Sequence, residues 1–214
     1  SIADTVFAHL DKSVLTTIPL FVFMAQVMIR AKVIDDLYDM ANTLVGHVKG
    51  GLGVATVLAC TIFAAISGSS VATALSIGAS AVPQMKRLGY PEREALGVVA
   101  AGGTLGILIP PSIVMVVYAA ATDVSVGRMF LGGVIPGLIA GLMLMAGIYI
   151  TAKWKGLPAQ DWAGWGEVIG SARDAIWGLM LIVIILGGIY GGVFTPTEAA
   201  AVSAVYAFII ANFV

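Results

Sequence analysis

Charged residues are scarce in this sequence. Asp, Glu, Lys and Arg make up 11% of its 214 residues, whereas soluble domains average about a quarter. They are absent from four long segments, at 50–85, 95–122, 129–152 and 175–197, and about 20 apolar residues are enough to span a bilayer as a helix. This composition excludes a soluble globular domain and predicts an all-α, polytopic integral membrane protein.

Other absences narrow the possible functions. A single cysteine, Cys60, excludes an internal disulfide and a cysteine cluster for a metal. The net charge of -1 leaves no basic surface for nucleic acid. Because no carboxylate or histidine lies inside the charge-free segments, the membrane interior lacks an acid/base pair, a Ser/His pair and a set of metal ligands. We therefore expect a protein that is not an enzyme and that has no cofactor.

We expect the sequence to be a fragment, truncated at both ends. Its first residues, SIADTVFAHLDKS, lack the basic segment and cleavage site of a signal peptide. Its last residues, AAAVSAVYAFIIANFV, stop inside an apolar run with no polar flank.

The first 49 residues predict two helices of different kinds. Residues 14–29 form an apolar segment closed by Arg30 and Lys32, as in a short membrane-crossing helix. Residues 33–48 place apolar side chains at helical spacing with three aspartates opposite, which is typical of an amphipathic helix at a membrane surface. We interpret residues 1–49 as a scaffold helix plus an amphipathic surface helix.

Residues 50–85 are too long for one crossing. As a single helix these 36 residues would extend roughly 54 Å, nearly twice the hydrocarbon thickness of about 30 Å. Two solutions fit: two crossings joined by a tight turn, or a re-entrant hairpin whose arms meet at SGSS, residues 67–70. In both, Lys49, Lys86 and Arg87 lie on the same side of the membrane.

The flanking charges predict a topology. Lys and Arg collect on the cytoplasmic side of membrane proteins, so the basic residues that close the first helix and the hairpin mark the cytoplasm. The next crossing would run out to Asp123, and the one after it would return to Lys153 and Lys155 on the basic side. Only Arg128 departs from this pattern.

Residues 126–214 predict scaffold-type transmembrane helices. The crossing that ends at Lys155 is followed by a polar loop at 156–172 and by helices near 174–190 and 198–214. Glycines recur every four residues, a pattern typical of helix packing inside membranes, at Gly133, Gly137 and Gly141 and again at Gly188 and Gly192.

Two breaks interrupt the apolar segments: SGSS at 67–70 and GGTLGILIPPS at 102–112. Pro110 and Pro111 cannot donate backbone hydrogen bonds, which frees carbonyl groups one turn earlier. Broken backbone is tolerated inside a membrane only where it is buried in protein or lines a cavity. Taken singly, the first break fits a small-residue packing patch and the second a helix kink; together they favour a binding site.

The chemical groups at these breaks suit ions. Freed carbonyls and serine hydroxyls are hard oxygen ligands for a small cation, and exposed N–H groups at helix starts suit an anion. Because the apolar segments contain no carboxylate or histidine to relay protons, coupling to Na+ is favoured over coupling to protons.

Three segments carry a resemblance to a known family. They are FAAISGSSVATALSIGASAVPQMKRLGYP (63–91), GGTLGILIPPSIVMVVYAAATDVSVGRMFLGGVIPGL (102–138) and GGIYGGVFTPTEAAAVSAVYA (187–207). They resemble the large membrane subunit, the M or DctM-like subunit, of tripartite ATP-independent periplasmic (TRAP) transporters. The likeness runs almost end to end.

The resemblance implies a fold. The family's large subunit has two inverted repeats, each with a re-entrant hairpin and a broken helix, which together form an elevator-type transport domain; this chain would hold one half. Residues 50–125 would then be half of the transport domain, with the hairpin at 50–85 and the broken helix at 93–121. Residues 126–214 would be scaffold-type helices and the start of the second repeat.

The resemblance also implies a function. The complete protein would use a Na+ gradient to import organic acids, C4-dicarboxylates or related carboxylates, across a bacterial or archaeal cytoplasmic (inner) membrane. A periplasmic substrate-binding protein would supply the organic anion, and a small membrane subunit would complete the scaffold.

Specific site residues follow from the same resemblance. A Na+ would lie between the hairpin tip and the broken segment, held by oxygens of Ser67, Ser69, Gly106, Ile109 and Pro111. The substrate carboxylate would lie close by, contacted by hydroxyls and backbone N–H groups of Ser70, Thr73, Gly103 and Thr104. This chain departs from many family members at Thr73, where Asp is common, and at Ile107, where Pro is frequent.

Two other functions fit the same hairpin. A stand-alone Na+-coupled anion transporter would work without a binding protein, and a channel would use SGSS as its filter. Solute exchange that requires both Na+ and a binding protein would indicate the TRAP-type transporter rather than either of these two.

Overall fold

The structure, a computed structural model, describes residue 2 and residues 12–213. All the regular structure in this part of the chain is helical. Its ten helices are α1 (Thr17–Arg30), α2 (Val33–Val45), α3 (Gly51–Ser67), α4 (Ser70–Arg87), α5 (Glu92–Gly103), α6 (Ile113–Thr122), α7 (Val126–Lys155), α8 (Trp165–Asp174), α9 (Ile176–Tyr190) and α10 (Pro196–Phe213). Short 3-10 turns precede α1 (Ser13–Thr16) and follow α5 (Thr104–Ile107), and α9 contains a π-helical turn (Val183–Gly187).

Three helical segments are long and apolar enough to cross a membrane: Ser13–Arg30, α7 and α10. Together α8 and α9, which are bent by 60° at a short break, make a fourth if they count as one span. Two further helices, α3 and α6, are apolar but shorter. The predicted all-α, polytopic membrane fold is confirmed.

The first hairpin arm, α3, lies at the centre of the bundle. It packs against α2, α4, α5 and α7, and Cys60, Phe63 and Ile66 have no exposed surface. A helix that is apolar on every side must be buried on every side. Protein therefore encloses this arm.

The longest helix, α7, contacts the first hairpin arm, α3, and the broken helix, and it runs antiparallel to both. Near the start of α7, Phe130 clusters with Val116 of α6, and Gly137 contacts Ile109 of the break. Further along, Gly141 contacts Thr61 of α3, and Ala152 contacts Gly50 at the base of the hairpin. Positions along α7 therefore show how far along the bundle each part of the first arm and of the break lies.

The hairpin tip lies level with the interior of α7. Gly137 is 11 residues from the start of α7 and 18 from its end, roughly 17 Å and 27 Å along the axis. The first arm begins near the end of α7, where Gly50 packs against Ala152 and Gly53 against Ile148. The second arm ends beside the start of α5, where Lys86 pairs with Glu92, and the same turn of α5 pairs with α7 through Glu94 and Lys155. Both ends of the hairpin thus lie at one end of the bundle, which both solutions require, and the re-entrant solution stays a prediction.

The amphipathic helix α2 covers the base of the hairpin. Leu37 and Tyr38, on its apolar side, are fully buried, while Asp35 and Asp39 are exposed. The hydroxyl of Ser80, on α4, donates a hydrogen bond to Asp35 at 2.5 Å. The structure confirms an amphipathic helix here and shows that protein covers its apolar side. Its location at the membrane surface stays a prediction.

The predicted loop at 156–172 is wrong in its second half, because α8 begins at Trp165. Val168 is buried, and the hydroxyls of Thr43 and Ser171 are 2.7 Å apart, which joins α8 to α2. The segment is polar, yet this tertiary contact gives its short apolar side a partner.

The packing role predicted for the glycines of α7 is confirmed. A Cβ at Gly133, Gly137 or Gly141 would come within 2.4 to 3.0 Å of a side chain on the neighbouring helices. The same prediction is wrong for Gly188 and Gly192. Gly188 faces Phe194 of the turn that follows α9, and Gly192 has a φ of +70° with open space around it.

The start of α10 follows from its local sequence, TPTE. The N–H of Thr195 donates to the carboxylate of Glu198 at 2.8 Å, and the N–H of Glu198 donates to the Thr195 hydroxyl at 3.3 Å. Pro196 occupies the first helical position. This reciprocal cap starts α10 two residues before the predicted 198.

Candidate functional site

The two arms of the hairpin are joined by Gly68 and Ser69. Gly68 ends α3 with a φ of +61°, and its N–H donates to the carbonyl of Ala64 at 3.1 Å. Glycine adopts this left-handed conformation without strain. Ser69 is extended, and its hydroxyl accepts the N–H of Ala72 at 3.3 Å, so it caps α4. The SGSS sequence thus specifies a helix end followed at once by a helix start.

Ser67 and Thr73 connect the two arms inside the tip. Their hydroxyl oxygens are 2.8 Å apart, and the Thr73 hydroxyl also donates to the Ser69 carbonyl at 2.8 Å. Ser67 is 1% exposed and Thr73 is fully buried. Because a buried hydroxyl without a partner is destabilising by about 1–3 kcal/mol, each of these side chains stabilises the conformation of the other.

Between α5 and α6 the chain passes through a 3-10 turn and then through Pro110 and Pro111, whose peptide bond is cis. Ser112 starts α6. Its hydroxyl accepts the N–H of Met115 at 3.4 Å and donates to the carbonyl of Ile107 at 2.8 Å. Ser112 therefore forms a hydrogen bond with Met115 after the break and another with Ile107 before the prolines.

The tip and the break meet through their backbones. A Cβ on Gly106 would lie 2.6 Å from the carbonyl of Ser69, and a Cβ on Gly68 would lie 2.4 Å from the carbonyl oxygen of Pro111. The N–H of Ile113 donates to the carbonyl of Gly68 at 3.2 Å. Only glycine permits so close an approach at these two positions.

Four helix ends therefore converge. The C-terminal ends of α3 and of the 3-10 turn face the N-terminal ends of α4 and α6. C-terminal ends carry partial negative charge and N-terminal ends carry partial positive charge. Residues 67–73 and 102–113 contain no ionisable side chain. The charge available to a ligand here consequently comes from backbone dipoles, and the site has groups suited to a cation and to an anion.

The residues predicted to bind Na+ lie on the two facing segments. Two of their oxygens are already engaged, because the Ser67 hydroxyl and the Ser69 carbonyl both bond to Thr73. The carbonyl oxygens of Ile109 and Pro111 accept no hydrogen bond from the part of the chain that the structure describes. Gly106 presses its backbone against Ser69. Unpartnered carbonyl oxygens suit a hard cation such as Na+, and the assignment of these five residues as ligands stays a prediction.

The residues predicted to contact substrate occupy different positions. Thr104 is exposed beside Ile107, whose side chain is 46% exposed. The Ser70 hydroxyl is buried and has no hydrogen-bond partner among the described residues. Gly103 is buried against Ala74. Thr73 is enclosed within the tip, as described above. Their roles toward substrate stay predictions.

Sequence reasoning missed Ser112. A serine directly before an apolar run is a helix-start signal, and here it follows two prolines. That signal predicts the cap of α6. The additional bond to Ile107 depends on how the chain turns back through the prolines, which no local pattern specifies.

The sequence matches a known family of membrane transporters. A model of the family described as the tripartite ATP-independent periplasmic transporter, DctM component, matches residues 1–214. The C4-dicarboxylate TRAP transporter large permease protein DctM of Vibrio cholerae serotype O1 is 56% identical over 215 residues, covering 100% of this chain and 48% of that protein. The protein of the same description from Pseudomonas aeruginosa is 54% identical over 214 residues, covering 100% and 50%.

A third relative carries a different substrate in its name. The ectoine TRAP transporter large permease protein TeaC of Halomonas elongata is 37% identical over 210 residues, covering 98% of this chain and 49% of that protein. The chain thus spans about half the length of these curated relatives. From the family match and these identities, the chain belongs to the DctM family, the large membrane permease components of tripartite ATP-independent periplasmic transporters.

Proposed function

We propose that this chain, a multi-pass component of the cytoplasmic (inner) membrane, forms one half of a permease that imports C4-dicarboxylates or related carboxylates with Na+. The observation that carries the proposal is the buried junction of tip and break. There, the backbone oxygens of Ile109 and Pro111 accept no hydrogen bond from residues 12–213, and two helix N-termini face the same place. A cation and a carboxylate could bind side by side without any ionisable side chain.

The substrate class rests on sequence similarity. The two relatives named for C4-dicarboxylates are 54% and 56% identical to this chain, whereas the relative named for ectoine is 37% identical. We therefore favour a dicarboxylate. Its carboxylate would accept hydrogen bonds at the start of α4, near the unpartnered Ser70 hydroxyl and the exposed Thr104.

The proposed partners are a periplasmic substrate-binding protein and a small membrane subunit. The proposed movement is an elevator step of residues 50–125 against scaffold helices from residues 1–49 and 126–214. The close glycine contacts of α7 with the break and with α3 favour one change to this division. We propose that α7, although it belongs to residues 126–214, moves together with the hairpin.

Two serine variants test the cation site. In proteoliposomes containing the assembled transporter, Ser67→Ala and Ser69→Ala should each raise the Na+ concentration needed for half-maximal succinate uptake. Ser67→Ala removes the hydroxyl that bonds to Thr73, and Ser69→Ala removes the cap of α4. Each substitution should cost the tip about 1 kcal/mol of stabilisation, which corresponds to about a fivefold rise in this Na+ concentration. Expression should stay intact.

Ser76→Ala is the matched control, because Ser76 lies on α4 two turns from the tip. Unchanged Na+ dependence in both tip variants would overturn the Na+ site. Uptake that needs Na+ but no binding protein would instead indicate a stand-alone transporter, and flux without counterflow would indicate a channel.

A further inference from the structure

A groove lies between α5 and α7, away from the candidate site. It has a volume of about 300 Å³. Gly97 and Gly147 form its walls, and a Cβ on either glycine would meet nothing within 4 Å. The other lining residues are mostly apolar, with Val98 and Ala101 on α5 and Met143 on α7 among them. The groove exists because small residues, Gly97 and Ala101 on α5 and Gly147 on α7, line the two helices where they face each other.

The groove has the depth of one leaflet. Its deepest lining residue on α7 is Met143, 12 residues before Lys155, or roughly 18 Å along the helix. Half of a hydrocarbon core of about 30 Å is about 15 Å. With Lys155 at the predicted cytoplasmic surface, a groove of this length would end near the middle of the membrane.

Charged and aromatic groups surround its mouth. Lys155 lies four residues after Thr151, which lines the groove, and Arg93 lies four residues before Gly97, so helical spacing puts both on the groove side of their helices. Lys155 pairs with Glu94, so the exposed Arg93 supplies the net positive charge. Trp154 is 85% exposed beside them, as is typical of a residue at the lipid headgroups.

We propose that this groove binds one acyl chain of an anionic phospholipid from the cytoplasmic leaflet, with the headgroup phosphate at Arg93, beside the ion pair of Lys155 with the groove-lining Glu94. The charge at the mouth selects the headgroup, since a basic residue near the surface attracts anionic lipid. The apolar walls accept the chain, which shields the backbone that the two glycines would otherwise leave open.

Native mass spectrometry of the purified protein with added phosphatidylglycerol or phosphatidylcholine tests the proposal. The wild type should retain phosphatidylglycerol about fivefold more than phosphatidylcholine. Gly147→Leu should fill the groove and reduce retention of both lipids. The matched control is Gly132→Leu, because Gly132 is exposed on the same helix with nothing within 4 Å, and it should retain lipid like the wild type.

Arg93→Gln tests the headgroup without touching the packed interior, and it should remove the preference for phosphatidylglycerol. Equal loss of lipid in the two glycine variants, or no headgroup preference in the wild type, would overturn the proposal. A photo-reactive amino acid in place of Met143, in the assembled transporter, should cross-link to lipid. A cross-link to polypeptide would mean that a protein segment occupies the groove and would also overturn it.

Discussion

At the hairpin tip, three polar groups form hydrogen bonds with one another. The Ser67 hydroxyl bonds to the Thr73 hydroxyl, and the Thr73 hydroxyl donates to the carbonyl of Ser69. Thr73 is thus a neutral side chain whose hydrogen bonds lie within the tip. In this chain Thr73 supports the tip, and any ion that binds there must be held by oxygens other than a carboxylate at this position.

Thr73→Val should weaken Na+-dependent uptake. The substitution replaces the hydroxyl with a methyl group of about the same size. The buried Ser67 hydroxyl then loses its hydrogen-bond partner at 2.8 Å. The expected destabilisation of about 1–3 kcal/mol corresponds to a rise on the order of tenfold in the Na+ concentration for half-maximal uptake. Thr73→Ser keeps the hydroxyl and is the control. Equal uptake by the Val and Ser variants would contradict the role assigned to Thr73.

The residues of this site were predictable to different degrees. Serines 67, 69 and 70 and prolines 110 and 111 stand out because hydroxyls and missing N–H groups are unusual in apolar segments. The bond between Ser67 and Thr73 was not predictable, since it depends on the left-handed turn at Gly68. The bond from Ser112 to Ile107 depends likewise on the path of the chain through the prolines.

Among the helices, α7 contributes an unusual contact surface. Gly133, Gly137 and Gly141 form one face along which the break and α3 pack, and Gly137 approaches Ile109 so closely that a Cβ would lie 2.6 Å from its Cγ1 atom. Small residues permit such close helix packing in a membrane, where van der Waals contact rather than the hydrophobic effect holds helices together.

Gly137→Val should therefore destabilise the protein. The added side chain would overlap Ile109 and push α7 from the break, and overpacking typically lowers the free energy of unfolding by about 1–3 kcal/mol. The measurement is the thermal unfolding temperature of the detergent-solubilised protein. Gly132→Val, on the exposed side of the same helix, should unfold close to the wild-type temperature. A similar fall in unfolding temperature in both variants would mean that the low helix propensity of valine, not overpacking against Ile109, causes the destabilisation.

The surface helices α2 and α8 bring acidic residues together outside the membrane-spanning segments. Burial raises the pKa of the Asp36 carboxyl above 3.8, and the nearby charges of Asp174, Asp39 and Asp35 raise it further. A raised pKa means that the folded state binds this proton more tightly than the unfolded state does. The ionised carboxylate thus lowers stability at neutral pH, and this effect disappears as the pH falls through the folded-state pKa toward 3.8.

Asp36→Asn should consequently raise the unfolding temperature at pH 7, and the gain over the wild type should shrink as the pH is lowered toward 4. Thermal unfolding measured across this range checks the sign. Asp161→Asn, in the exposed loop after α7, is the control and should give no comparable gain. A gain from Asp36→Asn that grows on acidification would contradict the proposed repulsion.

Over the whole molecule, the basic residues divide by side. Arg30, Arg87 and Lys155 lie at the same end of the bundle, where Lys86 pairs with Glu92 and Lys155 pairs with Glu94. At the opposite end Lys12 pairs with Asp123 at 2.6 Å. Because basic residues collect on the cytoplasmic side of membrane proteins, we predict that the first end faces the cytoplasm and that the hairpin enters the membrane from that side.

Cysteine labelling tests this topology. In a Cys60→Ser background, a membrane-impermeant maleimide should label Val124→Cys in intact spheroplasts and Trp154→Cys only after permeabilisation. Both native side chains are exposed, at 43% and 85%, so accessibility within the protein does not limit either reaction. The reverse pattern would invert the topology, and labelling of both sites in intact spheroplasts would mean that the 30 residues of α7 do not span the membrane.

The sequence by itself determined the membrane environment, the number and direction of the main helices, and the two breaks. Each of these depends on hydropathy, charge or backbone chemistry within a short segment. Tertiary structure decided that the hairpin tip stops level with the interior of α7, that α8 is a helix docked on α2, and that Thr73 points into the tip. These features depend on contacts such as Ile109 with Gly137 and Thr43 with Ser171, which join residues far apart in the chain and leave no local pattern.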